Sequence, residues 1–215
     1  MRRCSQATIT ERRPGGSARY LASEYQCRVS GIDITQEYID VANALVELTG
    51  LEEEVEFRQA SAIDLPFENN TFDTVWTEHV QMNIADKRTF YGEIARVIKP
   101  GGQLLFHDIF KGKNEPIHYP VPWADNESIN FLAAPEEIRE ILAELGFSIQ
   151  TWEDKSRASL EWFVQVVEKL KEKGPPPLGF HLLTGDNAKE KFKNQIRNLK
   201  ENRFVVVQAV ATLRE

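Results

Sequence analysis

The sequence predicts an α/β fold, a doubly wound and mostly parallel sheet, and three observations carry that expectation. From Ser17 to Phe110, apolar stripes at helical spacing alternate with short apolar runs, the pattern of a βαβ array. Helical segments separate four of the runs, and parallel neighbours need such crossovers. The runs end on polar residues: Asp33, Ser61, Thr77 with Glu78 and His79, and His107 with Asp108. In open α/β sheets, ligands sit outside the carboxyl ends of the strands.

Taken in order, "MRRCSQATITE" does not read as a buried strand, whereas "GSARYLASEY" puts Ala18, Leu21, Ala22 and Tyr25 on one helical stripe. "CRVSGID" is a short strand ending at Asp33. "QEYIDVANALVELTG" carries Tyr38, Val41, Ala42, Leu45 and Leu48 at helical spacing and stops at Gly50, a common helix terminator. "VEFRQAS" alternates like a strand, "PFENNTFD" is a turn-rich loop, and "FDTVWTE" is a strand with a polar exit. "DKRTFYGEIARVIKPGG" reads as an amphipathic helix closed by Pro-Gly-Gly, and "QLLFHDIF" is the most apolar strand of the chain.

Between Lys111 and Ala134 periodicity fails, and Pro116, Tyr119, Pro120, Pro122 and Trp123 appear instead. A loop of that length is usually functional. "PEEIREILAELGF" is a helix opened by Pro135 and closed by Gly146, and "SIQTWEDKS" is a strand. "SLEWFVQVVEKLKEKG" and "NAKEKFKNQIRNLKEN" are helices joined by "PPPLGFHLLTG", and "RFVVVQAVATLRE" is a final strand. The expected organisation is one domain over 1–215, with a cofactor-binding core over 15–110. A loop at 111–134 and a helical insertion at 159–202 would cover the substrate.

The 215 residues are 41% apolar with a formal net charge of −7 and an isoelectric point near 5.3. That balance argues against a nucleic-acid partner, since phosphate binding needs clustered Lys and Arg. The Lys-rich stretch from Lys169 to Lys200 is interleaved with acids, as on a solvated helical face. Cys4 and Cys27 offer neither metal-ligand spacing nor a disulfide framework, so no metal is expected. No run approaches the ~20 apolar residues of a membrane-spanning helix. The start lacks the apolar stretch of a secretion signal. A cytoplasmic location without a membrane partner follows as the expectation.

At the end of "VSGID", the Asp33 carboxylate can accept both hydroxyls of a ribose or cap the next helix. Four such strand ends on one edge make a shared site. The pieces "GGSARYLA", "GIDIT", "ASAIDLPFENNTFDTVW" and "EIARVIKPGGQLLFHD" cover Gly15 to Asp108, and in order and spacing they resemble the class I S-adenosylmethionine-dependent methyltransferases. The resemblance implies a Rossmann-like methyltransferase fold and S-adenosyl-L-methionine as cofactor. It implies that Asp33 binds the ribose, that Ile34 packs on the adenine, and that Ser61 stands where many relatives place an acid facing the adenine amino group. Ala62 would offer its backbone N–H to the ring, Thr77 and Glu78 would line the methionine side, and Gly15 and Gly16 are what remains of the glycine-rich turn.

His79 follows the fourth run, where the family's methyl-transfer centre lies, and its imidazole could take a proton from an amine or hydroxyl nucleophile. The alternative is a histidine that merely shapes the pocket or hydrogen-bonds a backbone carbonyl. Asn83 is a polar anchor on the substrate side, beyond Gln81 and Met82. His107 faces the pocket or lies in the sheet. Tyr119 and Trp123 are candidates for a substrate lid, their faces suited to a cationic amine, or simply pack the loop. The layout is loosely similar to the sarcosine and dimethylglycine methyltransferase type, which favours a small-molecule methyl acceptor. A homodimer is one assembly open to the chain.

The family pattern opens with an apolar strand and a glycine-rich turn, here degenerate or missing. "TITERRPGG" sets Glu11, Arg12, Arg13 and Pro14 where the strand end and first glycines should be, and Pro14 cannot donate to a ladder. One expectation is an N-terminal truncation with an altered start; the other has "SQATIT" as a short first strand. The damaged turn also keeps a second reading in view, a non-catalytic methyltransferase fold that binds a nucleoside-like ligand or a protein partner.

Overall fold

The computed structural model describes residues 6–11, 15–174, 185 and 187–215. The elements run β1 (Gln6–Glu11), α1 (Gly16–Tyr25), β2 (Arg28–Asp33), α2 (Gln36–Thr49), β3 (Val55–Gln59), β4 (Phe72–Glu78), α3 (Lys87–Val97) and β5 (Ile98–Lys111). They continue as α4 (Pro135–Glu144), β6 (Phe147–Asp154), α5 (Ser156–Lys173), α6 (Ala188–Lys200) and β7 (Phe204–Leu213). The strands form one seven-stranded sheet in the order β3-β2-β1-β4-β5-β7-β6. β1 to β5 pair in parallel, and β7 runs antiparallel between β5 and β6.

The first strand is therefore degenerate in sequence but present in the sheet. Thr8 pairs with Ser30 of β2 on one side and Val75 of β4 on the other. A ladder on both edges supplies backbone hydrogen bonds whatever the side chains, and the β-branched run Thr8, Ile9, Thr10 suits extended backbone. The strand stops at Glu11. Arg12, Arg13 and Pro14, like "PPPLGFHLLT" further on, lie outside the described residues.

Both faces of the sheet are covered, as a parallel sheet requires. Consecutive residues of β5 point to opposite sides: Phe110 joins the cluster built with α3 and α4, and Ile109 joins one with Trp123, Leu199, Phe204 and Val206. A third cluster packs α1 and α2 on β2 and β3. In α2 the buried stripe is Ile39, Ala42 and Val46, and Leu48 is 81% exposed. This keeps Ala42 but corrects the rest of the stripe read from the sequence, which is rotated by about one residue: Tyr38 and Leu45 are half-buried and Val41 and Leu48 exposed. Tyr25 likewise stands exposed at the end of α1. Among the described residues, no helix is long and apolar enough to cross a membrane.

β6 and β7 pair from Phe147 opposite Leu213 to Asp154 opposite Val207. The chain thus leaves the sheet after Asp154 and rejoins it at Phe204, almost beside its exit. Between these points, α5 and α6 lie against each other, with Phe163 near Phe192.

Candidate active site

Close approach of backbone and side chain builds the first half of the site. Gly15 precedes α1 with φ 67°, and a Cβ there would lie 2.3 Å from the Phe57 ring. Gly31 in β2 would place its Cβ 2.1 Å from the same ring. Phe57 is thus wedged between two positions that admit only glycine. Around Gly16, by contrast, the space a side chain would fill is open.

Asp33, half-buried at the end of β2, accepts the Thr35 N–H through Oδ1 at 2.8 Å and so steers the entry to α2. Thr35 itself makes no side-chain cap. Ile34, the next residue after Asp33, is 71% exposed; its carbonyl accepts from the Gln59 side chain at 3.0 Å. Beyond β3, the Ser61 hydroxyl accepts the Ile63 N–H at 3.3 Å, and Ala62 packs on the main core. Arg96 holds the following loop by donating to the Leu65 and Phe67 carbonyls at 2.9 and 2.6 Å.

At the end of β4 the two halves meet. The Ser17 hydroxyl, in the first turn of α1, donates to Glu78 at 3.1 Å. Thr77 is fully buried, and its Oγ1 meets no hydrogen-bond partner among the described residues. Glu78 stands opposite Glu11 on one side and His107 on the other. His79 turns out of the strand with φ 56°, a conformation that L-residues adopt rarely and mostly under local constraint. Its N–H donates to the His107 carbonyl at 3.1 Å, and the two imidazoles meet edge to face at 5.0 Å. Ligand-type atoms of Glu78, His79 and His107 all lie within 4.8 Å of one another. That set of two imidazoles and a carboxylate can pass a proton or hold a cation.

Asn83 is exposed, and its amide reaches the His79 carbonyl at 3.5 Å. Met82 and Trp123 are buried together with Phe204, and Tyr119 packs at their edge. The Trp123 indole donates to Asn130 at 2.7 Å and packs edge to face with the Phe204 ring at 5.3 Å between centres. Burial raises the Tyr119 hydroxyl above its ordinary range.

Of the residues singled out in the sequence, Gly15, Gly16, Asp33, Ile34, Ser61, Ala62, Thr77, Glu78, His79 and His107 stand along the carboxyl edge of β1 to β5; Trp123 stands in the core beside it. The sequence reading missed Ser17, the contact that closes this edge. It also missed Lys87, buried at the start of α3. Lys87 falls four residues before Tyr91 and seven before Ile94, on the buried stripe. A lysine in phase with an apolar stripe is the signal that could have found it. Burial pushes its ammonium down to about 8 and pushes the nearby Asp108 carboxyl, also fully buried, up to about 6.

Residues 13–106 match the family model described as a methyltransferase domain. The chain is 29% identical over 184 residues to the glycine/sarcosine/dimethylglycine N-methyltransferase of Actinopolyspora halophila, covering 86% of this chain and 32% of that protein. It is 29% identical over 140 residues to the sarcosine/dimethylglycine N-methyltransferase of Halorhodospira halochloris, covering 65% and 50%. The chain thus spans half or less of these relatives' length. Among solved structures, phosphoethanolamine N-methyltransferase 2 of Haemonchus contortus with S-adenosyl-L-methionine superimposes with a TM-score of 0.84 at 22% identity, covering all of this chain and 50% of that one.

Proposed function

We propose, for a chain whose residues 13–106 match a methyltransferase domain and whose fold superimposes on that of a methyltransferase, that it transfers a methyl group from S-adenosylmethionine to an amine or hydroxyl of a small metabolite. The observation that carries this reading is the pair at the end of β2. A half-buried carboxylate, Asp33, is followed by an isoleucine that is 71% exposed. An acid and a bare apolar surface side by side match the hydroxyls of a ribose and the face of the base attached to it. The residues present fit the cofactor's adenosine half on these grounds, and the open space at Gly16 beside Ser17 and Glu78 fits its amino-acid half.

In this assignment Asp33 accepts the ribose hydroxyls, Ile34 packs on the adenine, and Ser61 and Ala62 meet its edge. Gly15 and Gly16 let the backbone come close, and Thr77 and Glu78 line the methionine side. The cofactor, when bound, supplies a methyl on a sulfonium, already a strong electrophile, so alignment contributes much of the rate. His79 takes the proton from the acceptor, with His107 beside it at 5.0 Å between ring centres. Asn83 and Tyr119 stand on the acceptor side. The names of the two N-methyltransferases similar to this chain support a small amine as acceptor. The net charge of −7 supports an enzyme with no nucleic-acid partner.

The test is thermal unfolding with and without S-adenosylhomocysteine. At ~100 times its dissociation constant the ligand should stabilise the protein by about 2.7 kcal/mol. Asp33→Ala should abolish the shift; His79→Ala should keep it and slow transfer. A folded sample that shows no shift overturns the reading.

A further inference from the structure

Beyond Glu78, β4 leaves the sheet, and side chains continue the work of the ladder. Asp108 of β5 is fully buried, and its Oδ2 accepts the N–H groups of Val80 and Gln81, both at 3.1 Å, while Oδ1 accepts that of Ile109 at 2.9 Å. The buried Gln81 amide donates to the Ile109 carbonyl at 2.5 Å. From the other side Lys87, 6% exposed, donates to the carbonyls of Gln81 at 2.5 Å, Ile84, and Phe131 at 2.6 Å. Phe131 returns a backbone bond to the Met82 carbonyl at 3.0 Å.

A carboxylate that meets three donors and an ammonium that meets three acceptors thus bracket residues 80–84 and tie them to the end of the 111–134 loop. His79, in its left-handed conformation, is the residue immediately before this bracket. Asp108 follows His107, whose carbonyl holds the His79 N–H. Among the described residues, neither bracketing side chain hydrogen-bonds the Gly15, Asp33 or Ser61 segments.

We propose that Asp108 and Lys87 are positioning residues, which lock the His79–Ile84 turn onto β5 and the Phe131 segment and so aim His79 at the methyl acceptor without taking part in cofactor binding. The inference rests on the methyltransferase reading only for what His79 is aimed at. Buried charges that satisfy backbone groups are costly to leave half-paired, so removing either one should release the turn and expose the dependence of the other.

The experiment compares Asp108→Asn, Lys87→Met and the double variant by amide hydrogen exchange, S-adenosylhomocysteine titration, and methyl transfer from S-adenosylmethionine to dimethylglycine as probe acceptor. Exchange in peptides spanning 79–84 and 130–132 should rise about tenfold or more, with β2 and β3 as protected as in the parent. The ligand's dissociation constant should stay within about twofold, kcat should fall about tenfold, and the double variant should be no worse than the worse single one, the mark of coupled sites.

Should Lys87→Met fail to fold, Asp108→Asn carries the test, since it keeps size and one acceptor oxygen. A turn as protected as in the parent overturns the proposal. So does an affinity loss equal to the loss of turnover, which would make the pair merely structural. If the parent itself does not methylate dimethylglycine, that one acceptor is ruled out while exchange and ligand affinity still decide whether the pair locks the turn.

Discussion

The half of the molecule built on β2 and β3 and the half built on β4, β5 and β7 are held together by different physics. Around β2 and β3 the contacts are mainly steric and apolar, with Phe57 filling the space between Gly15 and Gly31, the α1 and α2 stripes closing over it, and one polar clasp in which Asn43 accepts the Phe57 N–H at 3.2 Å and donates to its carbonyl at 3.4 Å. The buried polar residues, Thr77, Gln81, Lys87, Asp108, Asn194, Gln195 and Asn198, all lie in the second half among the described side chains. Apolar packing tolerates small sliding, whereas hydrogen bonds in a low-dielectric interior fix distance and direction. On the function proposed above, shape would serve the side that meets the cofactor, and directed bonds the side that aims His79.

The strongest way to break this contrast is to add a methyl group on the steric side. Gly31→Ala would put a Cβ 2.1 Å from the Phe57 ring and should cost about 3 kcal/mol, a fall in Tm of roughly 6–12 °C. Adding Phe57→Leu should restore part of the loss. If Gly31→Ala alone melts like the parent, Phe57 is not wedged and the contrast fails.

On the polar side, Asn198 is fully buried and clasps the His118 backbone with both ends of its amide, at 2.9 Å each way. Asn198→Ala strands that N–H and carbonyl and should cost about 2 kcal/mol. S-adenosylhomocysteine affinity should not change. A loss of ligand affinity would show that the halves are not separable.

The smallest effect concerns pH. Glu201 accepts from Arg197 at 2.8 Å, from Arg203 at 2.5 Å and from His118 at 2.8 Å. The Arg197 bond first, then those from Arg203 and His118, holds its carboxyl down at about 2. A depressed carboxyl stabilises the fold above its ordinary value, and the contribution is lost as pH falls from about 4.5 towards 2. The parent should therefore lose stability relative to Glu201→Gln across that window and differ from it by a constant amount above pH 5. Parallel curves throughout would remove Glu201 from the account.

The same division explains what the sequence could be made to say. Strand ends, crossovers and the helices α3 and α4 were legible because period and punctuation are local properties, although α3 stops at Val97 and β5 begins at Ile98, before the Pro-Gly-Gly expected to close the helix. β1 was not, because what makes "QATITE" a central strand is a ladder on each edge, supplied by residues far along the chain. Asp33, Glu78, His79 and His107 could be named from their places at strand ends. The union of Glu78 with Ser17 and the left-handed turn at His79 could not, since they depend on how α1 and β5 are set against β4. Trp123 stayed open between lid and loop packing because an aromatic in a proline-rich loop looks the same whether it meets a ligand or Phe204.

The adjacency of Asp154 and Val207 in the β6–β7 pair has a consequence for how such a protein can diversify. Because the intervening stretch starts and finishes at neighbouring points of one hairpin, its length and content can change without moving any strand. The added cost of a longer closed loop grows only with the logarithm of its length. The stretch is therefore a graftable cassette. One continuous block of sequence could be exchanged there while the seven-stranded sheet is inherited untouched.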